Sequence, residues 1–237
     1  MQGFLNNYYY LISLGVIILA MAPFVVSFEG RKPQAREIVL IAVLIALAVV
    51  SRAAFFMVPQ VKPIAALVII SGVCLGPQSG FMVGALSAFV SNFLFGQGPW
   101  TPWQMFALGV IGALAGVLFK GDGLVLSQQD VTKPDRPLLT PLSRAVARRA
   151  GDRRRLALLC VYGGVSVLVL YGLLADTASA MIFTATLNLP SLLTVYAAGL
   201  PFNAIFAGST VVFLLLLARP MLEKLERIKK KYGLLMT

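Results

Sequence analysis

The chain has 237 residues, 59% of them hydrophobic and only 12% charged, with a formal charge of +11. That composition excludes an ordinary soluble domain and describes a membrane protein. The positive charge does not point to nucleic acid, because the Lys and Arg residues are confined to short connections and do not cover a folded face.

Several apolar runs approach or exceed the ~18 to 20 residues needed to cross a ~30 Å hydrocarbon layer, so one helical bundle with no separate soluble domain is expected. Tyr8 to Phe28 comes first. No basic residue precedes it, and it is read as a retained helix; Ala20-Met21-Ala22 has the form of a cleavage site and keeps a signal peptide as the alternative. Arg31, Lys32 and Arg36 follow, and Glu37 to Met57 forms the second span. Pro59, Gln60, Lys62 and Pro63 then make a turn before Ile64 to Leu75, a segment of 12 residues. That is short for a full crossing, so it is extended at its ends or stops part-way and leaves a concave place above one of them.

Gly80 to Phe95 repeats small residues at intervals of four, Gly80, Gly84 and Ala88, on one helix face. Pro102 to Phe119 carries a similar thin face at Gly109, Gly112, Ala113 and Gly116. Small residues at this spacing let backbones approach inside a bilayer, so both helices are expected to have close neighbours. Lys120 to Arg155 is a polar linker with Pro134, Pro137, Pro141 and a basic cluster at Arg148, Arg149 and Arg153 to Arg155, at most partly helical. Leu156 to Leu174 spans again, and Ala175 to Pro190 is a weakly polar connection containing Asp176 and Asn188. Pro201 is expected to divide the last run, Ser191 to Ala218, before Arg219 and a lysine-rich tail. Cys74 and Cys160 lie in apolar segments with no metal or redox spacing, which suits a reduced, structural role.

The stretch Ser87 to Phe106, SAFVSNFLFGQGPWTPWQMF, gathers polar and aromatic groups beside an apolar helix. Gly96, Gly98, Pro99 and Pro102 force a turn that carries Trp100 and Trp103, with Gln97 and Gln104 nearby and Asn92 on the preceding helix. Indoles at a membrane interface form belts without any ligand. Three amides beside them also make a ligand site, in which flat rings cover apolar surface and amides hydrogen-bond.

If the seven segments alternate, every Lys and Arg except Arg52 and Lys62 falls on one side. The positive-inside rule makes that side cytoplasmic, so the N-terminus and the Trp loop face out, and omitting the 120–155 linker leaves the result unchanged. Arg52, Gln60, Lys62, Asn92, Gln97, Trp100, Trp103, Gln104, Asp176 and Asn203 then share one outer layer, and Tyr196 joins the same set of substrate-binding candidates. Asp176 is the one outer acid able to pair with Arg52 or Lys62. The chain has no His, and no carboxylate is expected inside a span. No activated nucleophile, metal site or phosphate-cradling loop is found, so no catalytic residue, metal or cofactor is expected, and any driving energy must come from another subunit.

With these residues in hand, the chain over about 36–219 resembles the substrate-binding S component of an energy-coupling factor (ECF) vitamin transporter. The resemblance rests on Ala42 and Ala46 in IAVLIALAVV, the short helix that follows and the SNFLFGQGPWTPWQMF loop. It implies a six-helix all-α membrane bundle that captures a vitamin from outside and topples against a transmembrane coupling subunit (EcfT-type) driven by two cytoplasmic ATPases. It also implies partner contact through Ala42 and Ala46. The protein would lie in a bacterial cell membrane with its C-terminus in the cytoplasm. Within that family the loop and the residues from Arg52 to Pro63 look most like cobalamin-specific members, which makes cobalamin the expected transported substrate. Riboflavin or a queuosine precursor also suits the site chemistry, since flat rings stack on Trp. Two departures stand out: residues 1–35 add a seventh helix, and the 120–155 linker is long, followed at the end of the chain by a basic tail over 220–237.

Overall fold

The computed structural model describes residues 2–30, 33–119, 141–184 and 188–232. It is helical throughout, with no strand among the described residues: α1 (Gln2–Gly30), α2 (Ala35–Ala54), α3 (Ile64–Leu75), α4 (Pro77–Phe95), α5 (Thr101–Leu118), α6 (Pro141–Val165), a π-helical turn (Ser166–Tyr171), α7 (Gly172–Phe183) and α8 (Leu189–Tyr232). Five helical stretches are long and apolar enough to cross a membrane: α2, α4, α5, the rod Arg153–Phe183 and α8. Ile17–Gly30 and α3 are shorter apolar pieces. The protein is a multi-pass membrane protein, a six-rod bundle from α2 to α8 with α1 added against α4, α5 and α7.

The short helix is the post of the bundle. Every residue of α3 except Val73 is buried, and α2, α4, α5, α6 and α8 all contact it. A helix of 12 residues rises only about 18 Å, so it ends inside the bundle. Gly76, at φ 91°, turns the chain directly into α4, a left-handed conformation that suits a residue without Cβ. The thin faces meet as the small-residue spacing predicts. A Cβ on Gly80 would lie 2.5 Å from the Gly112 carbonyl oxygen and 2.6 Å from Gly72 Cα, and one on Gly116 would lie 2.6 Å from the Pro77 nitrogen. The α3, α4 and α5 backbones are therefore in direct contact. Cys74 and Cys160 are buried free thiols.

The expected segments are corrected at two places, after Leu174 and at Pro201. Residues 141–155, the end of the linker expected to be at most partly helical, form the start of α6, and residues 120–140 lie outside the described residues. The stretch after Leu174 is not a connection, since α7 continues to Phe183 and carries Asp176 within a span. Pro201 does not divide the last run, because α8 is one helix of 44 residues. A proline removes one N–H and crowds one turn, and packing on both sides of it holds the helix together. The tail, in turn, is helical to Tyr232, with Leu222 and Leu225 buried and the Lys229 amine donating to the Cys74 carbonyl at 2.6 Å. Glu37, at the start of α2, is buried and accepts from Ser79 Oγ at 3.0 Å.

Candidate functional site

The end of the bundle that carries the 55–63 and 96–100 connections also carries most of the polar candidates. Arg52, in the last turn of α2, donates through Nη1 to Ser91 Oγ at 2.5 Å and to Asn92 Oδ1 at 2.9 Å. Asn92 is buried on α4 and donates through Nδ2 to Thr101 Oγ1 and Gln104 Oε1, each at 3.0 Å. Thr101 donates to Gln97 Oε1 at 2.9 Å, and Gln97 Nε2 returns to the Phe89 carbonyl at 3.0 Å. One amide thus spends both ends tying α2, α4 and α5 together, as a buried polar side chain requires. Asn92→Ala leaves Arg52, Thr101 and Gln104 without those partners. A loss of about 2–3 kcal/mol in stability is expected from the unpaired groups, read as a lower thermal midpoint, with weaker ligand binding beside it.

Lys62 lies on the turn before α3. Its amine donates to Gln60 Oε1 at 3.1 Å and stands 5.7 Å from the Phe206 ring centre, and its backbone N–H donates to Ser209 Oγ on α8 at 3.4 Å. Gln60 holds φ 60°, a left-handed conformation that costs a side-chain-bearing residue about 1–2 kcal/mol and marks a turn held by its surroundings. Burial first, and the charge of Arg52 second, lower the Lys62 amine from its ordinary 10.5 to about 8. The folded protein then binds fewer protons than the unfolded chain between those two values, so the penalty is complete below pH 8 and fades toward 10.5. The thermal midpoint is expected to rise between pH 8 and 10, and Lys62→Gln is expected to remove this group's share of the rise.

A third cluster lies between α7 and α8. Asn203 is buried and donates to Asp176 Oδ2 at 2.8 Å, the Asp176 carboxylate rests on Gly199, and the Thr177 and Tyr196 hydroxyls share a hydrogen bond of 2.8 Å. Asp176 therefore pairs with Asn203, and not with Arg52 or Lys62 as the charge inventory suggested. The two indoles separate. Trp100 folds across Gly98 in its own turn, whereas Trp103 is buried with Ile17 and Ala178, and its Nε1 has no hydrogen-bond partner among the described residues.

Several participants escape a reading by residue type. Ser91 accepts from Arg52. Thr101 joins Asn92 to Gln97. Tyr171 and Phe206, hidden in apolar runs, meet edge to face at 5.0 Å beside Lys62. The polar periodicity of Ser87, Ser91 and Asn92 along one helix was the one available signal for Ser91. Ala42 and Ala46 lie on an exposed apolar strip of α2 with Val39, Val43 and Val50.

Residues 32–132 match the family described as ECF-type riboflavin transporter, S component. The match covers less than half of the chain; it contains Arg52, Lys62, Asn92 and the Trp loop, and leaves out α1 and everything from α6 to α8. It supports an S-component reading. No solved structure matches the chain significantly.

Proposed function

We propose that this chain is the substrate-binding S component of an ECF-type vitamin importer and that its cargo is a flavin-like molecule. The observation that carries the reading is the family match across the very helices that the Arg52–Asn92–Gln104 network ties together. The protein is a receptor without an engine. It recognises cargo at the outer end, and a transmembrane coupling subunit with two cytoplasmic ATPases supplies the work. The distribution of Lys and Arg supports an extracellular N-terminus and a cytoplasmic C-terminus. Arg52, Gln60, Lys62, Asn92, Gln97, Trp100, Gln104, Tyr196 and Asn203 are the binding residues of this reading, with Trp103 behind them. A flavin precedes cobalamin because the matched family is one for riboflavin; cobalamin and a queuosine precursor follow.

Purified protein is expected to bind riboflavin at low concentration without ATP, and uptake into vesicles should require the coupling subunit and the ATPases. One observation favours a second reading, an autonomous secondary transporter: Asp176 is a carboxylate inside a span, where ionisable groups mark proton and ion pathways. Uptake by the chain alone under a proton gradient, lost in Asp176→Asn, would replace the first reading with the second.

A further inference from the structure

The outer end of the bundle carries an uncompensated charge. Its charged side chains among the described residues are Arg52, Lys62 and Asp176; Glu29, Glu37, Glu223 and Glu226 belong to the opposite end. Asp176 hydrogen-bonds to Asn203, and neither cation has a carboxylate within ion-pair distance among the described residues. The partners they do have are neutral. Arg52 uses Nη1 on Ser91 and Asn92 and sits 4.8 Å from the Phe95 ring centre, while Lys62 bonds Gln60 and faces Phe206. Such partners hold a cation in place without neutralising it, and two cations withdrawn from water at one place repel each other. The low pKa of Lys62, with Arg52 among its causes, reports that repulsion. Tyr171 from the π-helical turn and Asp176 from α7 face the same region, so the balance there is two positive charges against one negative.

We propose that Arg52 and Lys62 form an anion-binding subsite and that the cargo carries a phosphate or carboxylate there. The inference rests on the reading of the chain as a substrate-binding component and adds the charge of the substrate to it. The second edge of the guanidinium is free of hydrogen bonds among the described residues, and its planar fork fits two oxygens of an anion. The N-terminal end of α3 begins two residues after Lys62 and adds the positive end of its dipole to the same space. Phe206 and Tyr171 supply apolar surface beside it for the rest of the ligand.

The test uses full-length protein in detergent, titrated by isothermal calorimetry with riboflavin, riboflavin 5′-phosphate and 10-carboxymethylflavin. At least one anionic flavin is expected to bind about tenfold or more tightly than riboflavin, as one charge-assisted contact provides, and the identity of the better one separates phosphate from carboxylate. Arg52→Gln and Lys62→Gln should each reduce that preference, while Arg52→Lys should keep part of it and guards against a merely misfolded variant. Raising the pH from 7 to 9 should weaken the preference in the wild type and not in Lys62→Gln. Equal affinity for neutral and anionic flavins, or a preference that survives both Gln variants, overturns the subsite and leaves the receptor reading standing. Absence of binding to all three by folded protein overturns both.

Discussion

Gly80→Leu is expected to yield no monodisperse protein, and Gly80→Ala to lower the thermal midpoint by roughly 5–10 °C, the equivalent of about 2–3 kcal/mol in a chain of this size. The reason is the nature of the atoms in the way. A Cβ at position 80 meets the Gly112 carbonyl oxygen at 2.5 Å, Gly72 Cα at 2.6 Å and the Gly112 carbonyl carbon at 2.9 Å. All three are backbone atoms on two other helices, so no side-chain rotation relieves the contact. The reverse substitution is equally blocked, since a Cβ on Gly112 would lie 2.7 Å from the Gly80 carbonyl carbon and 2.9 Å from Val68 Cγ1. Gly84 repeats the pattern one turn on, with Leu108 C at 2.5 Å and the Gly109 nitrogen at 2.8 Å. Separating these helices would also pull Asn92 away from Thr101 and Gln104 and disturb the site above. Gly208→Ala is the control, because a Cβ there meets nothing within 4 Å. Size-exclusion profiles and thermal unfolding of the three variants decide the matter, and wild-type behaviour of Gly80→Leu would contradict this packing.

Ala46→Trp is expected to reduce transport by the complete complex to background while leaving substrate binding and thermal stability unchanged. Ala42→Trp should behave alike. Both alanines lie on the part of α2 that the bundle leaves uncovered, flanked by Val39 at 63% and Val43 at 57% exposure. The buried side of the helix is formed by Leu40, Ile41, Leu44, Ala48 and Val49, so a ring at position 46 disturbs no core contact. On the proposed S-component reading the chain turns against a partner in lipid along a low strip, and an indole there is an obstacle. Leu216→Trp on α8, where Leu216 is 63% exposed, puts the same bulk on another uncovered face and should spare transport. Vesicle uptake with equal amounts of each variant, beside calorimetric binding, separates the outcomes. Full transport by Ala46→Trp would place the partner elsewhere; loss of binding would make the strip part of the fold.

Some of this was legible in residue order alone. The membrane class follows from the apolar content, and the helix positions follow from run lengths and from Gly and Pro at their ends, both of which are local quantities. The pairing of α4 with α5 was readable too, because Gly80, Gly84, Gly109, Gly112 and Gly116 announce a thin face by spacing. The sequence also determined that two cations and one acid would share an end, since alternation of spans leaves no other arrangement for Arg52, Lys62 and Asp176.

Tertiary structure decided who pairs with whom. Asp176 sits in a helix that continues past Leu174, which brings it over Gly199 and beside Asn203 on α8 and not to either base. Pro201 breaks nothing because neighbouring helices hold α8 on both sides, a restraint no propensity contains. Ser91 is indistinguishable from Ser87 by sequence, yet one accepts from Arg52 and the other Oγ is buried with no partner among the described residues. Trp103 lies three residues from Trp100 yet faces another part of the bundle, because Trp100 precedes the first turn of α5 and folds back over Gly98, whereas Trp103 lies within that helix on the side that α1 and α7 cover. Contacts between distant segments depend on how whole helices lie, and residue order specifies that only through the sum of all their packing.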